Sequence, residues 1–162
     1  MYACTYCQEH IVELLVSCIP SCVYSVDAQS QTPLIVAAKS GNLNIVKMVA
    51  QPELLDCKDE RGCSALFYAV YYGHMDIIYY LVKCGADVNV RDYNSQTVLM
   101  TAVQNGSENV VALLLALGAK TELVTKDTGL RAIDLAQQLK LLQLIILLSV
   151  SSGEYMLCSA IM

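Results

Sequence analysis

Tryptophan is absent from this 162-residue chain and phenylalanine occurs once, so a single large aromatic core is not expected. Charged residues are scarce at 15%, against roughly a quarter in typical soluble domains. Cations are scarcer than anions, 10 Lys and Arg against 15 Asp and Glu. The resulting net charge of −5 argues against nucleic acid or an anionic membrane surface as the main partner. The N-terminus has neither a basic start nor a long apolar run, so no secretory signal is read there. The most apolar stretch, Leu141 to Val150, contains Gln143 and is bounded by Lys140 and Gly153. It falls short of the ~20 apolar residues that a membrane-spanning helix needs. A soluble, intracellular, cytoplasmic chain is expected, and its eight cysteines are then expected as thiols.

Hydrophobic residues are abundant at 56%, which excludes a disordered chain. They are also periodic. Ala3, Ala37, Ala69, Ala102 and Ala136 recur at spacings of 34, 32, 33 and 34 residues. Four positions on stand Gly41, Gly73 and Gly106, with Cys7 and Lys140 in the outer blocks. Apolar pairs follow in register: Ile11-Val12, Ile45-Val46, Ile77-Ile78, Val110-Val111 and Leu144-Ile145. With Leu15, Val49, Leu81, Leu114 and Leu148 they make one face of a helix and not the alternation of a strand. A repeat of this length reads as a stacked array. Each unit is two short helices about a glycine turn, and its polar end, such as Asp87 to Asn94, suits an extended hairpin.

Residues in register give the array a family likeness. They are Thr32-Pro33-Leu34 with Ala37-Ala38 and Gly41; Ala65-Leu66 with Ala69 and Gly73-His74; Gly85-Ala86-Asp87-Val88-Asn89; and Thr97-Val98-Leu99 with Ala102 and Gly106. In these residues the chain resembles the ankyrin repeat family. The resemblance implies an all-α ankyrin-repeat solenoid of helix-turn-helix units with projecting β-hairpin loops and a concave, partner-binding face. The divisions read are a truncated first unit at 1–26, repeats at 27–58, 59–91 and 92–125, a divergent last unit at 126–149 and a tail at 150–162. The chain departs from the family's Thr-Pro-Leu-His: Ile35, Phe67, Met100 and Asp134 stand at the histidine position. The usual Thr–His hydrogen bond, worth about 1 kcal/mol, is therefore missing, and apolar packing by Ile35, Phe67 and Met100 is expected to offset part of it.

Both ends break the pattern. Met1 aligns with Ile35, Phe67 and Met100, inside a first helix, so a fragment or an internal start is expected, with a half-repeat cap as the alternative. Leu141, Leu142 and Leu144 to Leu148 are apolar nearly all round a helix. Tyr155-Met156-Leu157 could fold back over it, and deletion of Ser151 to Met162 would then lower solubility.

Chemistry-bearing motifs are sparse. Cys4, Cys7, Cys18 and Cys22, with His10 nearby, have spacings found in structural zinc sites, so a zinc-binding N-terminal cluster is kept as a lesser alternative. Cys4, Cys7 and Cys18 align with Ala38, Gly41 and Cys84, however, and the preferred reading is small-residue packing. No phosphate-binding loop, paired carboxylate or nucleophile motif is present. Catalytic residues, metal ligands and cofactors are all read as none. The acidic and basic tip residues Asp59, Glu60 and Arg61 have a simple reading as solvated turn residues.

The resemblance assigns the contact positions. They are Gln29, Gln31, Lys39 and Ser40; then Glu60, Arg61, Cys63, Tyr71, Tyr72 and Arg91; then Tyr93, Asn94, Gln96, Gln104 and Asn105; and last Asp127, Thr128 and Gln138. Tyr71 and Tyr72 stand where the neighbouring units have Lys39-Ser40 and Gln104-Asn105, a polar and exposed register. Tyrosine and arginine are enriched at binding hot spots. Flat packing of Tyr71 on the next helix is the competing reading. Tyr80 is expected in the core and Tyr79 outward on the convex side. The function expected is non-catalytic recognition of a protein or peptide on the concave face, as a scaffold or adaptor. The alternative is a targeting fragment of a longer enzyme, such as a kinase.

Overall fold

The computed structural model describes residues 1–152. Ten helices follow one another: α1 (Tyr2–Thr5), α2 (Glu9–Cys18), α3 (Pro33–Ser40), α4 (Leu43–Val49), α5 (Ala65–Tyr72), α6 (Met75–Lys83), α7 (Val98–Gln104), α8 (Glu108–Ala116), α9 (Ala132–Gln138) and α10 (Leu142–Ser152). Short 3-10 turns at Pro20–Tyr24 and Pro52–Leu54 join consecutive pairs. The odd-numbered helices pack in one row, α1 on α3, α3 on α5, α5 on α7 and α7 on α9. The even-numbered helices form the second row behind them. This is the all-α stack that the repeat implies.

Local chemistry repeats with the helices. Thr32, Ser64 and Thr97 cap α3, α5 and α7, each hydroxyl accepting from the N–H three residues on at 3.2–3.4 Å. Such caps are worth about 1 kcal/mol each. Arg131 has no hydroxyl at this register, and the N3 residue takes over: Asp134 Oδ2 accepts from the Arg131 N–H at 2.8 Å and from its Nε at 3.3 Å. Burial alone would raise the Asp134 carboxyl, but the side-chain and backbone hydrogen bonds from Arg131 outweigh it and hold the carboxyl below the ordinary range. Helix-to-helix turns close with positive φ at Cys7, Gly41, Gly73, Gly106 and Lys140, one register position throughout. At Gly41 the space matters too, since a Cβ would lie 2.6 Å from the His74 ring.

The core runs the length of the stack. Leu34, Ile45, Leu66, Ile77, Ile78, Leu81, Leu99, Leu114, Leu144 and Leu148 are fully buried. Each such side chain contributes about 1.5–3 kcal/mol by leaving water. Ile35, Phe67 and Met100, at the family's histidine register, are buried as well. Tyr80 is half-buried against the core, whereas Tyr79 is exposed under the Lys83 ammonium. On α10 one face is buried, while Leu142, Ile146 and Val150 form an exposed stripe at i, i+4 and i+8. Tyr155, Met156 and Leu157 lie outside the described residues.

Candidate functional site

The projecting loops are shorter than extended hairpins. Among the described residues they contain one antiparallel bridge, Arg91 with Thr97, and no longer strand. Aspartate side chains do most of the shaping. Asp27, Asp59 and Asp92 share a register position, and each Oδ1 accepts two backbone N–H groups. The donors are Gln29 and Gln31, Arg61 and Cys63, and Asn94 and Gln96, all at 2.8–3.0 Å. Local carboxylate bonds of this kind replace a ladder. Neighbouring tips touch through one backbone bond each: Glu60 N to Gln29 O, Tyr93 N to Arg61 O and Lys126 N to Asn94 O, at 3.2–3.5 Å.

One expectation fails here. Asp59 is not a solvated tip charge but 2% exposed. Its second oxygen accepts the Tyr68 hydroxyl at 2.6 Å, and the two backbone bonds fill the first. Tyr68 is the residue that sequence reasoning passed over. It stands in register with Val36 and Thr101, and a ring that size cannot be buried where those residues fit. It leans instead into the space beneath the tips, with the Lys39 ammonium 4.8 Å from its centroid. Burial, then the bond to Asp59, raises the Tyr68 hydroxyl above its ordinary pKa.

That space is a groove of about 720 Å³ across three units. Asp59, Cys63 and Phe67 are its buried lining, and Lys39, Tyr68, Arg61 and Asp92 also border it. Tyr71, Tyr72 and Tyr93 stand at its rim, 55%, 51% and 64% exposed, so Tyr71 does not lie flat against the next helix. The Tyr71 and Tyr72 rings meet edge to face at 5.1 Å, an orientation favoured by their quadrupoles. Tyr93 sits over Gly62, where a Cβ would come within 2.6 Å of the Tyr93 nitrogen and 2.8 Å of its ring.

Of the expected contact residues, Gln29, Gln31, Lys39, Glu60, Arg61, Tyr71, Tyr72, Tyr93 and Asn94 border this one groove. Cys63 borders it too, but buried rather than presented. Gln96, Gln104 and Asn105 continue the same surface on α7 and its loop. Gln96 donates to Gln104 at 2.7 Å, and Asn105 donates to the Tyr71 carbonyl at 3.0 Å. Ser40 turns back to bond the Ala37 carbonyl, while Asp127, Thr128 and Gln138 are exposed. Arg91 is set apart. It borders a separate depression with Asp56, Lys58 and Asp87, and its carbonyl accepts from Lys58 Nζ.

The chemistry the groove offers is non-covalent. Burial, then the nearby Asp59 and Asp92 carboxylates, pushes the Cys63 thiol up to about 11, so it is protonated at neutral pH. Of the N-terminal cysteines, Cys4 and Cys22 line one small cavity. Cys4 is buried, Cys7 and Cys18 are exposed, and no group of three or more His, Cys, Asp or Glu side chains among the described residues is placed to hold a metal ion. Cys7 occupies the left-handed turn and Cys4 faces the core, which points their side chains to different environments. No helix among the described residues is long and apolar enough to cross a membrane.

Stacked helix pairs, capped alike and carrying loop tips above a groove, define a repeat-built interaction module. The family model for ankyrin repeats in three copies matches residues 1–55 and 51–127, and the chain belongs to that family. The pair α9–α10 continues the stack beyond the matched residues. Among similar proteins, the rice (Oryza sativa subsp. japonica) probable E3 ubiquitin-protein ligase XBOS33 is 40% identical over 51% of this chain and 16% of its own length. The mouse (Mus musculus) ankyrin repeat and SAM domain-containing protein 6 is 32% identical over 68% of this chain and 13% of its own. The Arabidopsis thaliana ADP-ribosylation factor GTPase-activating protein AGD4 is 32% identical over 49% and 10%. The chain thus spans less than a fifth of each of these relatives. Ankyrin repeats are protein–protein interaction modules and are generally non-catalytic.

Proposed function

We propose that the concave groove is the docking face for a protein partner or an extended peptide, and that the chain acts as a scaffold or adaptor in the cytoplasm. The observation that carries this reading is the set of three exposed tyrosines, Tyr71, Tyr72 and Tyr93, brought to the rim of one groove that Arg61 also borders. Tyrosine gives apolar area and a hydroxyl at low entropic cost. The polar remainder, from Gln29 and Gln31 to Gln104 and Asn105, suits the wetter rim of an interface. Arg91 belongs to the recognition surface only for a partner large enough to reach round the tips to its separate depression.

The test pairs Tyr71→Ala with Tyr72→Ala. Both side chains are exposed at the C-terminal end of α5, so the variant keeps its helical circular dichroism while partner capture, followed by affinity crosslinking, falls at least about tenfold. Equal capture by both proteins rejects the groove as the docking face.

A second reading makes the repeats the targeting part of a longer enzyme. It is supported by the small share of XBOS33 and AGD4 that the chain spans. Its test is the coding sequence flanking the region: a continuous frame into a catalytic domain supports it, and closed frames on both sides reject it.

A further inference from the structure

The groove is not uniform along the stack, and its irregularity lies in the middle unit. Gln31, Cys63 and Gln96 occupy one register position; Lys39, Tyr71 and Gln104 occupy another, eight residues on. In the first of these units the two positions are bridged, Lys39 Nζ donating to Gln31 Oε1 at 3.2 Å. In the third they are bridged again, Gln96 Nε2 donating to Gln104 Oε1 at 2.7 Å. The middle unit has no such bridge. Cys63 is too short to cross, is buried beside Phe67, and leaves the Tyr71 ring standing at the edge. The bridge at this register is thus interrupted in the middle unit, where the Tyr68 hydroxyl bonds the buried Asp59 carboxylate instead.

Besides Asp59, Glu60 and Arg61 of the middle unit, charges of opposite sign border the groove on its two sides. Lys39 lies on the side of the first unit and Asp92 on the side of the third, both half-buried and both bordering the groove. Neither has an ion-pair partner within 4.0 Å among the described residues. The Lys39 ammonium rests on the Tyr68 ring and the Gln31 amide at the border of the groove. A half-buried charge gains most from an opposite charge that arrives with a ligand and excludes water.

We propose that this gap is an anchor pocket for a single bulky apolar side chain of a partner segment, with an acidic residue beside it on the Lys39 side and a basic residue on the Asp92 side. The proposal rests on the groove being the docking face, and refines it to a sequence class. The anchor packs against the Tyr68 and Tyr71 rings, beside Cys63 and Phe67, which are already nearly closed to water. The flanking charges set register, and Gln31 and Gln96 hydrogen-bond the segment's backbone on either side. Selectivity against a polar side chain at the anchor arises because the buried acceptor there, Asp59, already takes the Tyr68 hydroxyl and two backbone N–H groups.

The experiment uses a phage-displayed library of random twelve-residue peptides selected on the full chain. Binders are then measured against three variants: Tyr71→Ala with Tyr72→Ala; Cys63→Gln with Tyr71→Lys; and Lys39→Glu. The second variant copies the pair that the first unit already carries, so the register tolerates it. The expected result is a set of binders weakened by the double alanine change that share one Leu, Ile, Met or Phe, lose at least tenfold in affinity on Cys63→Gln with Tyr71→Lys, and carry an acid next to the anchor. Reselection on Lys39→Glu is expected to replace that acid with a base. Groove-dependent binders that have no common apolar position, or that bind the Cys63→Gln, Tyr71→Lys protein equally well, overturn the anchor pocket and leave the docking face standing. Binders indifferent to all three variants, or no binders at all, overturn both.

Discussion

Tyr93 and Gly62 show how a single backbone position governs the groove. Gly62 has φ of 80° and no room for a Cβ, since both the Tyr93 nitrogen and its ring would lie under 3 Å away. Ser30 and Ser95 adopt the same left-handed conformation at the equivalent position, so φ alone does not demand glycine there. The demand comes from the next tip. Gly62→Ala therefore combines a left-handed penalty with a clash against backbone that cannot swing away, for about 1–3 kcal/mol of destabilisation. The expected outcome is a lower midpoint in urea together with altered tyrosine fluorescence from a displaced Tyr93. An unchanged midpoint would mean that the tip moves freely and does not fix the Tyr93 ring. Cys63 and Tyr68 belong to the same scale: each departs from its register neighbours in size, one too small and one too large, and together they make the groove irregular where the rest of the array repeats.

The helix is the scale at which caps and termini decide the outcome. α9 begins on Arg131, and its opening N–H is held by Asp134, whose carboxyl sits below its ordinary value. Because the folded value is the depressed one, the stabilisation is present above the unfolded carboxylate pKa of about 4 and is lost as pH falls through the folded value. Asp134→Ala is expected to cost about 1 kcal/mol at pH 7, and the gap from wild type is expected to narrow in acid. Denaturant titrations at pH 7 and pH 3 check this; an equal gap at both pH values would show that the charge of Asp134 plays no part. The helices were readable from sequence because alanine, glycine and aliphatic registers recur at one period. The tips were less so. Aspartate at that register reads as a solvated charge until its side chain is seen closing the loop, and Asp59 is sealed further by Tyr68, nine residues away. Arg91 shows the same limit: contact positions transferred by register place it with the tyrosines, yet it borders a separate depression with Asp56, Lys58 and Asp87.

Across the whole molecule, cohesion comes from neighbours in the row, and it is uneven. α5 and α7 are covered on both sides by first helices, whereas α2 buries only Val12 and exposes Ile11, Leu14 and Leu15. Arrays of this kind unfold by segments, with nearest-neighbour terms setting local stability. Amide hydrogen exchange is expected to be fastest in α2 and slowest in α5 and α7, and uniform protection along the chain would contradict a segmental array. Among the described residues, Leu142, Ile146 and Val150 on α10 place a second exposed apolar surface at the opposite end from α2. Between these ends, one backbone bond joins each pair of neighbouring tips, and Lys58 to the Arg91 carbonyl, Asp87 N to Asp56 and Lys120 N to Asn89 add bonds between neighbouring loops, while the helices behind pack row on row. The molecule is therefore built like a hand fan, its ribs packed along their length and its outer edge tied by hydrogen bonds. Strain from a bulky occupant of the groove would fall on that edge before it reached the ribs.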